Sequence, residues 1–98
     1  MENTSIKTVV ELPTIDESQY LIVMHNDDIT TFDFVIKVLN EVFDYNVREA
    51  ALMAMYIDEH GQSVITMLPK EEAVEKLNVV ENYNIRYDEM LSCTIEKA

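Results

Sequence analysis

The sequence predicts an α+β domain of order β-α-α-β-α-β, with a small three-stranded antiparallel sheet and three helices packed on one face. Three observations predict it. Short β-branched apolar runs suit strands, two capping-box patterns open helices, and the only glycine, Gly61, stands where a long helix must end.

"YLIVM", from Tyr20 to Met24, is a β-branched run that reads as a first strand, so the domain begins near Gln19. Thr30 followed by Asp33 forms a capping-box-like start, and Val35, Ile36, Leu39, Val42 and Phe43 continue at helical spacing. Asn46 with Glu49 repeats the capping pattern and opens a second helix through about Asp58, closed by Gly61. "SVITML" reads as a strand, and Pro69, at or near a first helical position, opens a third helix with Ala73, Leu77 and Val80 on one face. "MLSCTIE" is the last strand. Residues 1–17, with Pro13 and scattered acids, lack periodicity and are expected to form a flexible extension, leaving 18–98 as one core domain.

The second helix is unusual. Ala50 to Ile57 is apolar all the way round, whereas a two-layer domain this small buries one stripe of a helix. Either some of this surface faces a groove or a partner, or the helix is sandwiched between the first helix and the sheet or third helix.

Composition excludes several functions. Seven Lys and Arg against 19 Asp and Glu give a net charge of −12, which opposes phosphate backbones and anionic membranes. A lone Cys93 provides neither a disulfide nor a zinc site, and a reducing, cytoplasmic setting is the expectation. No apolar run is long enough to span a bilayer.

Asp27, Asp28, Asp58, His25 and His60 invite a metal or acid–base reading. No helical His-x-x-x-His or Glu-x-x-His pair exists, however, and one glycine is too few for a phosphate loop or a nucleophile elbow, so neither a catalyst nor a metal or other cofactor is expected. The segment Asn26 to Asp28 either only caps a helix or also presents acceptors to a cation rich in N–H donors, such as the α-ammonium of a peptide. Phe32, with Ala54 and Ile57 at i, i+3 spacing, is a suitable set of apolar walls beside it.

"VMHNDDITTFDFVIKVLNEVF", "NVREAALMAM", Gly61, "EEAVEKL" and "SCTIEKA" together resemble the Clp protease adaptor family ClpS over residues 18 to 98. The resemblance implies a non-catalytic adaptor that binds proteins beginning with Leu, Phe, Tyr or Trp and delivers them to the AAA+ unfoldase ClpA for degradation by ClpP. It also implies that Asn26 and Asp27 hold the α-amino group and first peptide unit with help from Thr30, and that Phe32, Ala54, Ile57 and Leu91 line the pocket for the first side chain. Glu71 and Lys76 fall where the family docks on the N-terminal domain of the unfoldase, and the N-terminal extension is where the family engages the unfoldase pore.

This chain departs from the family pattern at several positions. Asp58 replaces a histidine that reaches the amine, and adjacency to Gly61 argues against His60 as its substitute. Asp58 can accept from an ammonium and add a countercharge; alternatively, repulsion among Asp27, Asp28 and Asp58 abolishes binding and leaves a scaffold that only docks on the unfoldase. Phe32 and Ala54 stand where methionines are usual, which keeps pocket volume and alters its shape. Thr31 replaces a common proline, and Pro69 a capping threonine, with no functional change expected.

Overall fold

A computed structural model of the chain describes residues 19–98. Its elements run β1 (Gln19–His25), α1 (Phe32–Glu41), α2 (Val47–His60), β2 (Gln62–Pro69), α3 (Lys70–Tyr87) and β3 (Ser92–Lys97). The predicted order and the three-stranded antiparallel sheet are therefore both present. The extension expected over 1–17 lies outside the described residues.

The central strand is β1, flanked by β2 and β3, which explains why its run is the most apolar. It pairs with β2 from Gln19↔Pro69 to His25↔Gln62 and with β3 from Tyr20↔Lys97 to His25↔Ser92. Between Ile22 and Val23 the β2 register slips, leaving Ile65 as an extra residue whose carbonyl accepts from the Tyr45 hydroxyl at 2.8 Å. Met24, fully buried, points into the core with Phe34, Val38, Leu39, Val42, Ala50, Ala54, Ile57, Val80 and Leu91. Strand alternation then puts His25 on the opposite sheet face.

Local chemistry sets the helix ends, with one shift from expectation. Thr31, not Thr30, caps α1: its hydroxyl accepts from the Phe34 N–H. Thr30 is occupied elsewhere, because its N–H and hydroxyl both donate to Asp27. Pro69 is the cap residue of α3, within the position expected for it. The capping box of α2 is complete, with Asn46 and Glu49 bonding reciprocally at 3.1 and 2.8 Å. Gly61 ends α2 at φ 93°, the left-handed region, and its N–H donates to the Ile57 carbonyl at 2.8 Å.

The buried stripe of α1 is Phe34, Val38, Leu39 and Val42, whereas the expected Val35, Ile36 and Phe43 are half-buried around it. Helix α2 buries Ala50, Ala54 and Ile57 and exposes Leu52, Met55 and Tyr56, with Leu52 at 58%. Helix α2 thus packs against both α1 and β2, as the sandwiched reading has it, and leaves its other side open. On α3 the stripe runs Ala73, Leu77, Val80 and Asn84, where Leu77 is half-buried and Asn84 is buried.

Candidate functional site

The exit of β1 and the end of α2 are fastened together by the backbone. The Asn26 N–H donates to the Gly61 carbonyl at 2.8 Å, so the polar turn after β1 lies beside the last turn of α2, which carries Asp58. The turn itself is built by Asp27. Its Oδ1 accepts from the N–H groups of Ile29 at 2.7 Å and Thr30 at 2.6 Å, and its Oδ2 accepts from the Thr30 hydroxyl at 2.8 Å. Burial works to raise the Asp27 carboxyl, but the bonds from Thr30 and Ile29 outweigh it and hold the group below its ordinary value. Asp27 is thus an ionised scaffold for the turn with little acceptor capacity left.

Between these elements lies a cavity of about 70 Å³. Its polar side is formed by Asn26, Asp27, Thr30 and Asp58, and its apolar side by Phe32, Val35, Ala54, Ile57 and Leu91. Every residue picked from the sequence for the amine or the pocket meets here, drawn from the β1–α1 turn, both ends of α1 and α2 that face each other, and the entry to β3. Val35 was not among them. Ala54, Ile57 and Leu91 are buried, whereas Phe32 is 46% exposed and stands at the mouth. Among the described residues, none hydrogen-bonds the side chains of Asn26 and Asp58, which both border the cavity.

The field in this cavity favours cations. Asp27 and Asp58 place two carboxylates on its polar side, and the C-terminal end of α2 adds the negative pole of its dipole, against the positive pole that α1 presents at Phe32. A volume of about 70 Å³ is far below the roughly 300 to 1,000 Å³ of a small-molecule substrate site, and suits one side chain with an amine beside it.

Both histidine side chains are engaged elsewhere, although one borders the cavity. His25 Nε2 bonds the Thr94 hydroxyl at 2.8 Å on the outer sheet face, although His25 borders the cavity. His60 stacks on Tyr56 at 4.1 Å and its Nδ1 bonds the Tyr56 carbonyl at 3.0 Å. Burial pushes the Cys93 thiol up to about 12, so it is not a nucleophile at neutral pH. No group of three or more His, Cys, Asp or Glu is arranged for a metal among the described residues.

One supporting residue escaped the sequence reading. Asn84, 7% exposed on α3, donates from Nδ2 to the Leu91 carbonyl at 2.9 Å and accepts from the Leu91 N–H at 3.0 Å. It fixes the backbone of a cavity wall. The signal was available, since Asn84 follows Val80 by four residues on the apolar stripe of α3.

Glu71 and Lys76 lie apart from the cavity, on α3. Glu71 is exposed in the first turn, while the Lys76 ammonium donates to the Val42 carbonyl at 2.8 Å and so closes the last turn of α1. A larger, open groove of about 770 Å³ follows the outer side of α2, lined by Phe43, Tyr45, Leu52, Met53 and Tyr56 with Asp44 and Glu49. It lacks the convergence of amide and carboxylate oxygens on an apolar hollow that distinguishes the smaller cavity.

Comparison with known proteins adds to this geometry. The family model "ATP-dependent Clp protease adaptor protein ClpS" matches residues 16–94. ATP-dependent Clp protease adapter proteins ClpS from Escherichia fergusonii and Cronobacter sakazakii are each 35% identical over 81 residues, covering 83% of this chain and 76% of theirs. A solved structure of Agrobacterium tumefaciens ClpS2 bound to L-phenylalaninamide superposes with a TM-score of 0.78 at 23% identity, covering 83% of this chain and 98% of that one. That likeness establishes the α+β fold. No described helix is long and apolar enough to cross a membrane.

Proposed function

The chain belongs to the ClpS family of ATP-dependent Clp protease adaptors, a family of adaptors and not of enzymes, and on that premise we propose that it binds the free N-terminus of proteins beginning with Leu, Phe, Tyr or Trp. In this reading it delivers them to a ClpA-type unfoldase, docking through α3 near Glu71 and Lys76, in the cytoplasm. The single observation that carries the reading is the cavity of about 70 Å³ with acceptor oxygens on one side and an apolar hollow on the other. The phenylalaninamide bound by the Agrobacterium ClpS2 pairs a free amine with a bulky apolar side chain, and that is the ligand chemistry such a cavity suits.

The roles divide as follows. Asn26 and Asp58 accept from the ammonium. Asp27, its oxygens largely engaged by Ile29 and Thr30, holds the turn and contributes charge. Thr30 acts through Asp27 instead of touching the amine. Phe32, Val35, Ala54, Ile57 and Leu91 enclose the side chain. Burial of one Leu or Phe side chain contributes about 1.5 to 3 kcal/mol, and charge-assisted bonds about 1.5 to 3 kcal/mol each. Together they approach the roughly 8 kcal/mol of a micromolar complex.

A fluorescence titration of the full chain with a labelled peptide beginning with free Leu or Phe tests the reading, and binding near micromolar Kd is expected. Asp58 is exposed at the rim, so Asp58→Asn is expected to weaken binding about two- to fivefold at low salt, the size of an exposed ion pair, and to flatten the salt dependence. The scaffold reading, in which the acids repel one another and the site no longer binds, predicts no titration with unfoldase docking intact, and restored binding on Asp58→His.

A further inference from the structure

The loop from Asp88 to Leu91 connects α3 to β3 and supplies one wall of the cavity, Leu91. Its two fastenings differ in kind. On the inside, the buried Asn84 amide holds the Leu91 backbone. On the outside, Thr31 reaches across from the start of α1: its hydroxyl donates to Glu89 Oε2 at 2.9 Å and its N–H donates towards Glu89 Oε1 at 3.3 Å. Thr31 sits between Thr30 and Phe32, which both border the same cavity. We propose that the Glu89–Thr31 contact is a latch that sets the width of the first-residue hollow, so that Glu89 and Thr31 determine which N-terminal side chains are admitted.

The chemistry of the contact supports this. The single proton of the Thr31 hydroxyl goes to Glu89, while its oxygen accepts from the Phe34 N–H at 3.2 Å; one hydroxyl thus caps α1 and ties it to the opposite wall. Glu89 places a carboxylate at the positive end of the α1 dipole, where anions are favoured. Charge-assisted bonds of this kind are stronger than neutral ones. With a volume of about 70 Å³, the hollow is tight, and an indole can enter only if the Leu91 loop and Phe32 part. The latch opposes that movement more than it opposes entry of Leu. Glu89 and Thr31 are positioning residues, since neither borders the cavity itself.

The inference rests on the cavity being an N-terminus site, and the test separates the two. Peptides identical except for a first Leu or Trp, labelled at the far end, are titrated against the full-length wild type, Glu89→Ala, Thr31→Pro and the double variant. Proline suits the Thr31 backbone, at φ −72°, and removes both donors together with the α1 cap, which Glu89→Ala leaves in place. Each single change is expected to raise the affinity for Trp relative to Leu by at least about threefold, and the double change by no more than either alone, because one contact is being removed twice. An unchanged Trp-to-Leu ratio, with wild type still binding, overturns the latch and spares the binding site, even if the melting temperature falls. Additive effects also overturn it. Failure of the wild type to bind either peptide overturns both.

Discussion

Acetylating the first nitrogen of a Leu-starting peptide is expected to raise its Kd by about tenfold or more, since the charge and two N–H donors are lost together, although the acceptors Asn26 and Asp58 are themselves exposed. An acetylated nitrogen is neutral, keeps one N–H, and brings a methyl group towards oxygens that need donors. Asn26 and Asp58 have no other bonding partner among the described residues, so none of those residues compensates. The carbonyl end of α2 makes the loss larger, as it favours cations only. Titration of the acetylated and free peptides in the same buffer reads this directly. Equal affinities would mean that the apolar hollow alone does the binding.

Asn84→Ala is expected to destabilise the domain by about 2 to 6 kcal/mol, because it leaves the N–H and C=O of Leu91 without partners and each buried orphan costs about 1 to 3 kcal/mol. Asn84 is itself 7% exposed, so water does not readily replace its amide. The melting temperature of the variant measures the loss. Peptide affinity should fall as well, because the released Leu91 no longer closes the cavity. Asn84→Asp should show the asymmetry of the clamp: a carboxylate still accepts from the Leu91 N–H but faces its carbonyl with a charge. Stability of Asn84→Ala equal to wild type would show that the two bonds contribute nothing net.

Most of the fold was legible because its local rules agree with one another. The Asn46 and Glu49 capping pair, Gly61 and the β-branched run from Tyr20 to Met24 each act within a few residues, and each forms the element expected of it. Thr30 and Thr31 show where such reasoning stops. Both are sound helix caps by type, and the choice between them was made by Asp27, which engages Thr30 and leaves Thr31 to the helix. The stripe of α1 was right at Leu39 and Val42 and off at its other positions for a related reason: Phe34 and Val38 complete the core, and the flanking Val35 and Ile36 are equally apolar. In a segment so rich in apolar residues, periodicity does not single out one face.

The cavity was legible as a set of residues, since the turn at Asn26 and the face of Ala54 and Ile57 are visible in the chain. How those residues share the work was not. That Asp27 supports the turn depends on distances of under 3 Å from its carboxylate to the N–H groups of Ile29 and Thr30 and to the Thr30 hydroxyl. Long-range partners were invisible altogether: Glu89 lies 58 residues from Thr31, and Lys76 lies 34 residues from the Val42 carbonyl it closes. Thr31, taken from the sequence as a change without consequence, is the residue at which the cap of α1 and the wall of the cavity meet.

A structure of the complex with a peptide beginning with free Leu tests the central claim most directly. The account predicts the peptide nitrogen at about 2.7 to 3.2 Å from oxygens of Asn26 and Asp58, with the Leu side chain enclosed by Phe32, Ala54, Ile57 and Leu91. A peptide lying instead along the outer groove of α2, over Leu52 and Tyr56 with the small cavity unfilled, would contradict it.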